Sequence, residues 1–254
     1  MSRIIKPFFW PRVQTLTEAP AAFLQVALWG ALSGPLVGFF FGWLLQPEGW
    51  HPQPPDWPTL LQWLLYAGRA GTTYALVYYS TLNVAVDYLR RTQHPEGSWY
   101  GRWGMNYVYG TWSVLSALNA AGIDHQSPEI RKAVSWLVKI QNSDGGWGED
   151  GSSYKLDYQG YEAAPSTPSQ TAWAVLGLMA AGEIDHPAVA RGIDYLSRTQ
   201  GTDGLWDEPR FTAVGFPRIF YLRYHGYAKF FPVWAMARYR NLKTSNAPAV
   251  SFGL

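Results

Sequence analysis

The sequence predicts an all-α protein of stacked helical hairpins, an α/α toroid or solenoid. Three observations predict it. A helix-and-turn unit recurs three times in one register, helix start signals alternate with glycine-rich stops between the copies, and no stretch sustains the period-two alternation of a strand. The clearest copy is Arg131 to Trp147, RKAVSWLVKIQNSDGGW, in which Ala133, Val134, Trp136, Leu137 and Ile140 recur at helical spacing ahead of Gln141, a polar turn and Gly145-Gly146-Trp147. Upstream, AVDYLRRTQHPEGSW places Tyr88, Leu89, Gln93, Gly97 and Trp99 in the same order. Downstream, RGIDYLSRTQGTDGLW does so with Tyr195, Leu196, Gln200, Gly204 and Trp206. In all three, Gln precedes Trp by six residues and Gly precedes it by two, and the copies lie 48 and then 59 residues apart. A Gln at a helix end can bond backbone groups orphaned at that terminus or a neighbouring one. A Trp returned by the glycine turn can lie over the flat amide. Each unit then buries its apolar stripe against its neighbours only.

From the N-terminus, residues 1–58 are an apolar segment with an expected transmembrane helix and a proline-rich linker. Ala21 to Leu45 carries no charge and has only Gln25 and Ser33 as polar side chains, which is long enough to cross a bilayer. Arg3, Lys6 and Arg12 precede it and would keep the N-terminus cytoplasmic, while Trp43, Trp50 and Trp57 suit an interfacial belt. A buried helix is the other reading of this run. Gln46 to Pro58 is the linker. Residues 59–80 are a second apolar segment, either another membrane-associated arm or a helix packed on the repeat domain. Residues 81–243 form that repeat domain. Thr81 to Thr92 is its first outer helix. Thr111 to Ala121 comes next and stops at Gly122. Ser127-Pro128-Glu129 opens a helix running to Gln141. Thr167-Pro168 opens one that ends at Gly182, and Asp185 or His186 caps one from Pro187 to Gln200. Phe231 to Leu242 is the last, and residues 244–254 are a tail.

The repeat resembles the QW repeat of the squalene–hopene and oxidosqualene cyclases, from about Val84 to Arg240, and most closely the C-terminal part of a bacterial squalene–hopene cyclase. The resemblance implies an incomplete (α/α)6 barrel, roughly half a ring. It also implies carbocationic cyclisation of squalene in triterpenoid or hopanoid metabolism, an isomerase or lyase chemistry. That chemistry needs an acid to protonate an alkene, a dry cavity, and electron-rich rings for the travelling cation. Gly101 to Thr111, GRWGMNYVYGT, resembles the family stretch whose cation-facing Trp and Tyr fall on Trp103 and Tyr109. By the same resemblance Gly215 to Pro232, GFPRIFYLRYHGYAKFFP, implies Phe216, Phe220, Leu222, Tyr224 and Tyr227 as cavity lining. Gln93, Trp99, Gln141, Trp147, Gln200 and Trp206 are the structural repeat residues.

The family's proton donor sits in an Asp-X-Asp-Asp motif, which this sequence does not contain. The nearest acid pairs, Glu149-Asp150 and Asp207-Glu208, come directly after repeat tryptophans or one residue on, and read as turn or cap residues. No catalytic residue is therefore assigned, and no turnover is expected from this chain alone. The alternatives are a non-enzymatic, membrane-tethered module that binds a polyprenyl lipid, or one half of a split cyclase that pairs with a separate half or with itself. Tyr154, Tyr158 and Tyr161 read as surface or lid residues.

Composition narrows the rest. Tryptophan (14) and tyrosine (16) are abundant and charged residues are only 15%, below the usual quarter. A net charge of +2 without a basic run gives no case for nucleic acid. Without cysteine there is no disulfide, thiolate nucleophile or Cys-ligated zinc, which also argues against the prenyltransferase type of α/α barrel. The five histidines lack ligand spacing, so no metal or cofactor is expected. The expected location is a bacterial inner membrane.

Overall fold

A computed structural model describes residues 81–154 and 160–244. The chain divides into two compact units, Met1–Asp87 and Tyr88–Leu254. The expected spans within residues 1–80 and the tail at 245–254 lie outside the described residues. Among the described residues, no helix is long and apolar enough to cross a membrane.

The described architecture is mostly helical. Helix α1 covers 81–92. After it come α2 (Asn106–Ala120), α3 (Pro128–Lys139), a 3-10 turn at Gly151–Ser153, α4 (Pro168–Ala180) and α5 (Pro187–Thr199). Strands β1 (Ala213–Phe216) and β2 (Phe220–Leu222) precede α6 (Tyr227–Thr244). Helix α4 is the centre: every one of its residues is buried, between α2 on one side and α6 on the other. Helices α3 and α5 are outer helices with one buried face each, Ile130, Ala133, Val134 and Leu137 on the first and Ala188, Val189, Gly192, Tyr195 and Leu196 on the second. This division follows from the sequence pattern. A helix apolar all round must be enclosed, while an amphipathic one needs only one covered side.

The local signals explain the helix ends. Both α3 and α5 start on a proline, whose missing N–H costs nothing in the first turn. The ring Nδ1 of His186 accepts from the Ala188 N–H at 3.1 Å, which makes His186 rather than Asp185 the cap. Thr167 Oγ1 accepts from Gln170 N–H at 3.3 Å at the start of α4. Gly122 and Gly182, at φ of 75° and 83°, take the left-handed conformation that ends α2 and α4. Ser127 sits at the expected start of α3, yet its side chain makes no capping bond.

Each repeat unit is closed by a pair of hydrogen bonds to the backbone. The indole N–H of Trp99, Trp147 and Trp206 donates to the carbonyl ten residues earlier, Leu89 O at 2.7 Å, Leu137 O at 2.8 Å and Leu196 O at 2.7 Å. The amide Nε2 of Gln93, Gln141 and Gln200 donates to the carbonyl of the turn glycine, Gly97 at 2.9 Å, Gly145 at 2.8 Å and Gly204 at 2.7 Å. Amide and indole thus bond the main chain on either side of the turn. All three tryptophans are buried.

The structure corrects the sequence reading in three places. The fold is not wholly helical. β1 and β2 pair antiparallel, Ala213 against Leu222 and Val214 against Tyr221, with an irregularity before Phe216 pairs with Phe220. Their edge also joins the loop before α2, through Met105 N–H to Thr212 O at 3.0 Å and Val214 N–H to Trp103 O at 3.1 Å. Strands of three and four residues held by such distant partners leave no periodic signal in a local window. Helix α2 starts at Asn106, five residues before the expected Thr111, because a distant carboxylate caps it. Helix α6 starts at Tyr227, a turn before Phe231, with Pro232 inside it. The Lys229 and Phe230 N–H groups both bond Gly226 O, so the first turn forms before the proline removes a donor.

Candidate functional site

The inner helices bring together a continuous array of aromatic rings. Tyr109 and Trp112 come from α2, Trp173 from α4, and Tyr227, Phe231 and Trp234 from α6. The spacings of three and four residues put each set on one helix face. Trp112 and Trp173 lie nearly parallel, 9° between planes and 6.2 Å between centroids. Tyr109 meets them edge-on at 5.4 and 5.1 Å. Tyr227 and Phe231 meet Trp173 edge-on at 5.6 and 5.5 Å, and Phe231 meets Trp112 at 5.4 Å. Tyr224 extends the array through Tyr227 at 5.0 Å, and Trp234 through Phe231 at 6.1 Å. Trp173 is fully buried, whereas Tyr224 (48% exposed) and Trp234 (40%) form a rim open to the surface. The indole N–H groups of Trp112 and Trp173 are buried with no hydrogen-bond partner, an arrangement that costs free energy.

Burial pushes the hydroxyl pKa values of Tyr109 and Tyr227 upward, and for Tyr227 the neighbouring Tyr109 and Tyr224 add to it. These side chains remain neutral phenols over any ordinary pH range. The array therefore offers quadrupolar ring faces without an anionic nucleophile.

Of the seven residues expected to line a cavity, the array takes in Tyr109, Tyr224 and Tyr227. Trp103 lies outside it, 53% exposed, with the Arg102 guanidinium 5.5 Å from its ring. Phe216 and Phe220 face each other across the hairpin at 5.6 Å and are both exposed, and Leu222 is partly exposed on β2. Phe216 lines a separate cleft of about 230 Å³ with Tyr100, Tyr154, Ile219, Arg102 and Arg218. Trp112, Trp173, Phe231 and Trp234 escaped the sequence reading. Their signal was present as aromatics at helical spacing, in helices whose inner position no local pattern reveals.

Two carboxylates near the repeats, Glu149 and Glu208, bond helix N-termini and lie deeper than a turn residue would. Glu149 is 1% exposed. Its Oε2 accepts from the N–H groups of Asn106 and Val108, both at 2.9 Å, and its Oε1 from Tyr107 N–H at 3.0 Å. It satisfies three of the orphan donors at the start of α2 and complements the helix dipole. Burial nevertheless pushes its pKa up, against the lowering by those three N–H groups. Glu208 repeats the device on α4. It accepts from Ser169 N–H at 2.8 Å, and also from Ser169 Oγ at 3.0 Å and Thr212 Oγ1 at 2.8 Å. Both acids stand two residues after a repeat tryptophan, Trp147 and Trp206, and each caps an inner helix.

Tyr154 is also buried rather than on a lid. It is 3% exposed, and its hydroxyl donates to Gly104 O at 2.7 Å. Tyr161 donates to Gly148 O at 2.6 Å, and Tyr158 lies outside the described residues. Among the described residues no three His, Asp or Glu side chains gather as a metal site.

Comparison with known proteins agrees with this architecture. A family model described as the squalene-hopene cyclase C-terminal domain matches residues 71–241. The chain is 76% identical over 161 residues to a probable squalene–hopene cyclase of Sinorhizobium fredii, covering 63% of this chain and 25% of that protein. It is 72% identical over 169 residues to a squalene–hopene cyclase of Bradyrhizobium diazoefficiens, covering 66% of this chain and 26% of that one. A lanosterol synthase of Mus musculus is 37% identical over 174 residues, covering 66% and 23%. The chain spans about a quarter of the length of the curated relatives it matches.

Proposed function

Because the chain belongs to the squalene–hopene cyclase C-terminal domain family, we propose that its aromatic array is a carbocation-stabilising wall for cyclisation of squalene or a related polyprenyl lipid. The observation that carries this reading is the set of neutral rings that α2, α4 and α6 supply at centroid distances of 5.1 to 6.2 Å. A cation over a desolvated aromatic face gains about 2 kcal/mol, and none of these rings is nucleophilic enough to trap it. Trp103, Phe216, Phe220 and Leu222 join that wall only if the hairpin and the loop before α2 turn toward the substrate.

The chain does not initiate the reaction. Protonating an alkene takes a strong, buried acid constellation. The two buried carboxylates here are engaged as acceptors for helix N–H groups. The acid comes from an Asp-X-Asp-Asp segment that acts together with this wall, and the apolar run at 21–45 tethers the assembly to a membrane where squalene is dissolved.

Two assays test this. Purified chain incubated with squalene yields no cyclic product by gas chromatography and mass spectrometry, and product is restored when the acid-bearing part of a homologous cyclase is added. Hopene formed by the chain alone overturns the shared site. A polyprenyl trialkylammonium, standing in for the cation, quenches tryptophan fluorescence, and Trp234→Phe, at the open rim of the array, weakens its binding several-fold less than Trp234→Ala. Equal binding by wild type and Trp234→Ala overturns the wall. Binding without turnover in every combination favours a polyprenyl-binding module, the reading that the missing acid motif supports.

A further inference from the structure

The hairpin holds one residue against its own backbone preference. Arg218 has a φ of 68°, and among the described residues it is the one non-glycine residue in the left-handed region. Its turn is tight. Ile219 N–H donates to Phe216 O at 3.0 Å, with Pro217 and Arg218 between them. Proline fixes a negative φ at the first central position, so the positive φ at the second makes this a type II turn. Glycine or asparagine suits that second position, and a long L side chain there costs free energy. A residue kept in such a conformation points to a task for its side chain.

The turn sets Arg218 on the cleft of about 230 Å³ beside the hairpin, where Arg102 is the second cation. The two arginines lie more than a hundred residues apart in sequence, and the backbone ties them together. Gly104 bridges to Ala213, Val214 N–H donates to Trp103 O at 3.1 Å, and Met105 N–H donates to Thr212 O at 3.0 Å. The Arg102 loop thus runs along the edge of β1. The Arg102 guanidinium also lies 5.5 Å from the Trp103 ring, which restricts its swing.

Among the described residues no acid neutralises this pair. Asp150, whose charge acts on the Tyr221 hydroxyl, is held by Arg210. Glu149, whose charge reaches Tyr154, accepts three N–H groups of α2. The Tyr154 hydroxyl is itself taken by Gly104 O. Phe216 and Ile219, both exposed, give the cleft an apolar side. Squalene is a hydrocarbon and offers an arginine nothing to bond, and a carbocation would be repelled by two guanidinium charges. None of the rings of the aromatic array lines this cleft.

We infer that Arg102 and Arg218 bind the phosphate or diphosphate end of an amphiphile whose single apolar chain lies over Phe216 and Ile219. Guanidinium forks match phosphate oxygens in bidentate pairs. The cleft is large enough for one such head group, and the exposed Phe216 and Ile219 gain by being covered. A soluble prenyl phosphate ester has this form. A bilayer phospholipid shares its head-group chemistry and is separated from it by the test.

Calorimetric titration of the full-length protein with geranyl diphosphate gives saturable binding that weakens as ionic strength rises. Inorganic diphosphate, lacking the chain, binds at least about tenfold more weakly. Arg102→Gln and Arg218→Gly each weaken geranyl diphosphate roughly 3- to 10-fold, the range for a charged hydrogen-bonded contact at an exposed site, and leave any binding of uncharged geraniol unchanged. Glycine takes the left-handed conformation freely, so Arg218→Gly does this without lowering the melting temperature. A lowered melting temperature would assign Arg218 to bracing the hairpin and overturn the inference. So would geranyl diphosphate binding that neither substitution changes, or geraniol binding that both weaken equally. Inorganic diphosphate binding as tightly as the ester would overturn the amphiphile. Arg218-dependent binding to phosphatidylglycerol vesicles without binding of geranyl diphosphate would give the cleft to a bilayer head group and overturn the soluble ligand.

Discussion

Replacing Glu149 by Gln exchanges one side-chain oxygen for an NH2 and tests how the inner helix that carries Tyr109 and Trp112 is held. The carboxylate accepts three backbone N–H groups with its two oxygens, at 2.9, 2.9 and 3.0 Å. An amide has one oxygen. Turned to keep the bonds from Asn106 and Val108, it aims its NH2 at the Tyr107 N–H; turned the other way, it confronts two donors. At least one buried N–H is left without an acceptor, which costs about 1–3 kcal/mol. The expected destabilisation is therefore about 1–3 kcal/mol, and at roughly 2–4 °C per kcal/mol for a chain of this size the melting temperature falls by about 2–12 °C. Far-ultraviolet circular dichroism during heating measures the fall. Near-ultraviolet dichroism reports the indoles of Trp112 and Trp173 and should flatten with it. A melting temperature within about 2 °C of the wild type would refute the capping argument and leave Glu149 available for another role.

The same two acids set a pH dependence. Burial raises the pKa of both Glu149 and Glu208, so the folded chain binds their protons more tightly than the unfolded chain does. Stability from these groups therefore rises as pH falls from neutrality toward the ordinary carboxylate value near about 4.3. The gap between wild type and Glu149→Gln/Glu208→Gln in urea midpoints widens from pH 7 to pH 5, and a narrowing gap contradicts the sign. Gln141→Ala removes bonds to Gly145 O and Ala188 O and should cost about 1–2 kcal/mol, whereas Gln200→Ala, at an exposed turn, should cost about 0.5 kcal/mol or less. Equal costs would show that the second acceptor contributes nothing. Gly192→Ala places a Cβ 2.5 Å from Val175 Cγ2 and 2.8 Å from Trp147 Cζ3, so chemical denaturation should show a loss of about 1–3 kcal/mol. An unchanged midpoint would mean that α5 can lift off α4 at no cost.

Periodicity and punctuation carried most of the helical frame. Thr167-Pro168, His186-Pro187, Gly122 and Gly182 each mark a helix end within a residue or so of where it falls, because capping and left-handed glycine are local chemistry. The early start of α2 escaped because its cap, Glu149, lies 43 residues away from Asn106. The β hairpin escaped because its stabilising partners include Trp103 and Met105, more than a hundred residues upstream. Tyr154 and Tyr161 looked like surface residues because a loop rich in polar residues gives no hint that their hydroxyls find carbonyls at Gly104 and Gly148.

The candidate site divides in the same way. Tyr109, Tyr224 and Tyr227 could be named from linear resemblance to a known family. Trp112 and Trp173, the stacked pair at the centre of the array, could not. Their neighbours come from three helices separated by dozens of residues, and only packing decides which of 14 tryptophans share a face.

By itself the sequence determined the repeat, the helical hairpins and the kinship, since all three are written in short-range spacing. Only the tertiary structure decided which helices lie inside and which acids are consumed as caps. Those outcomes depend on what each segment meets across the fold, and burial is a property of the assembled neighbours rather than of the segment.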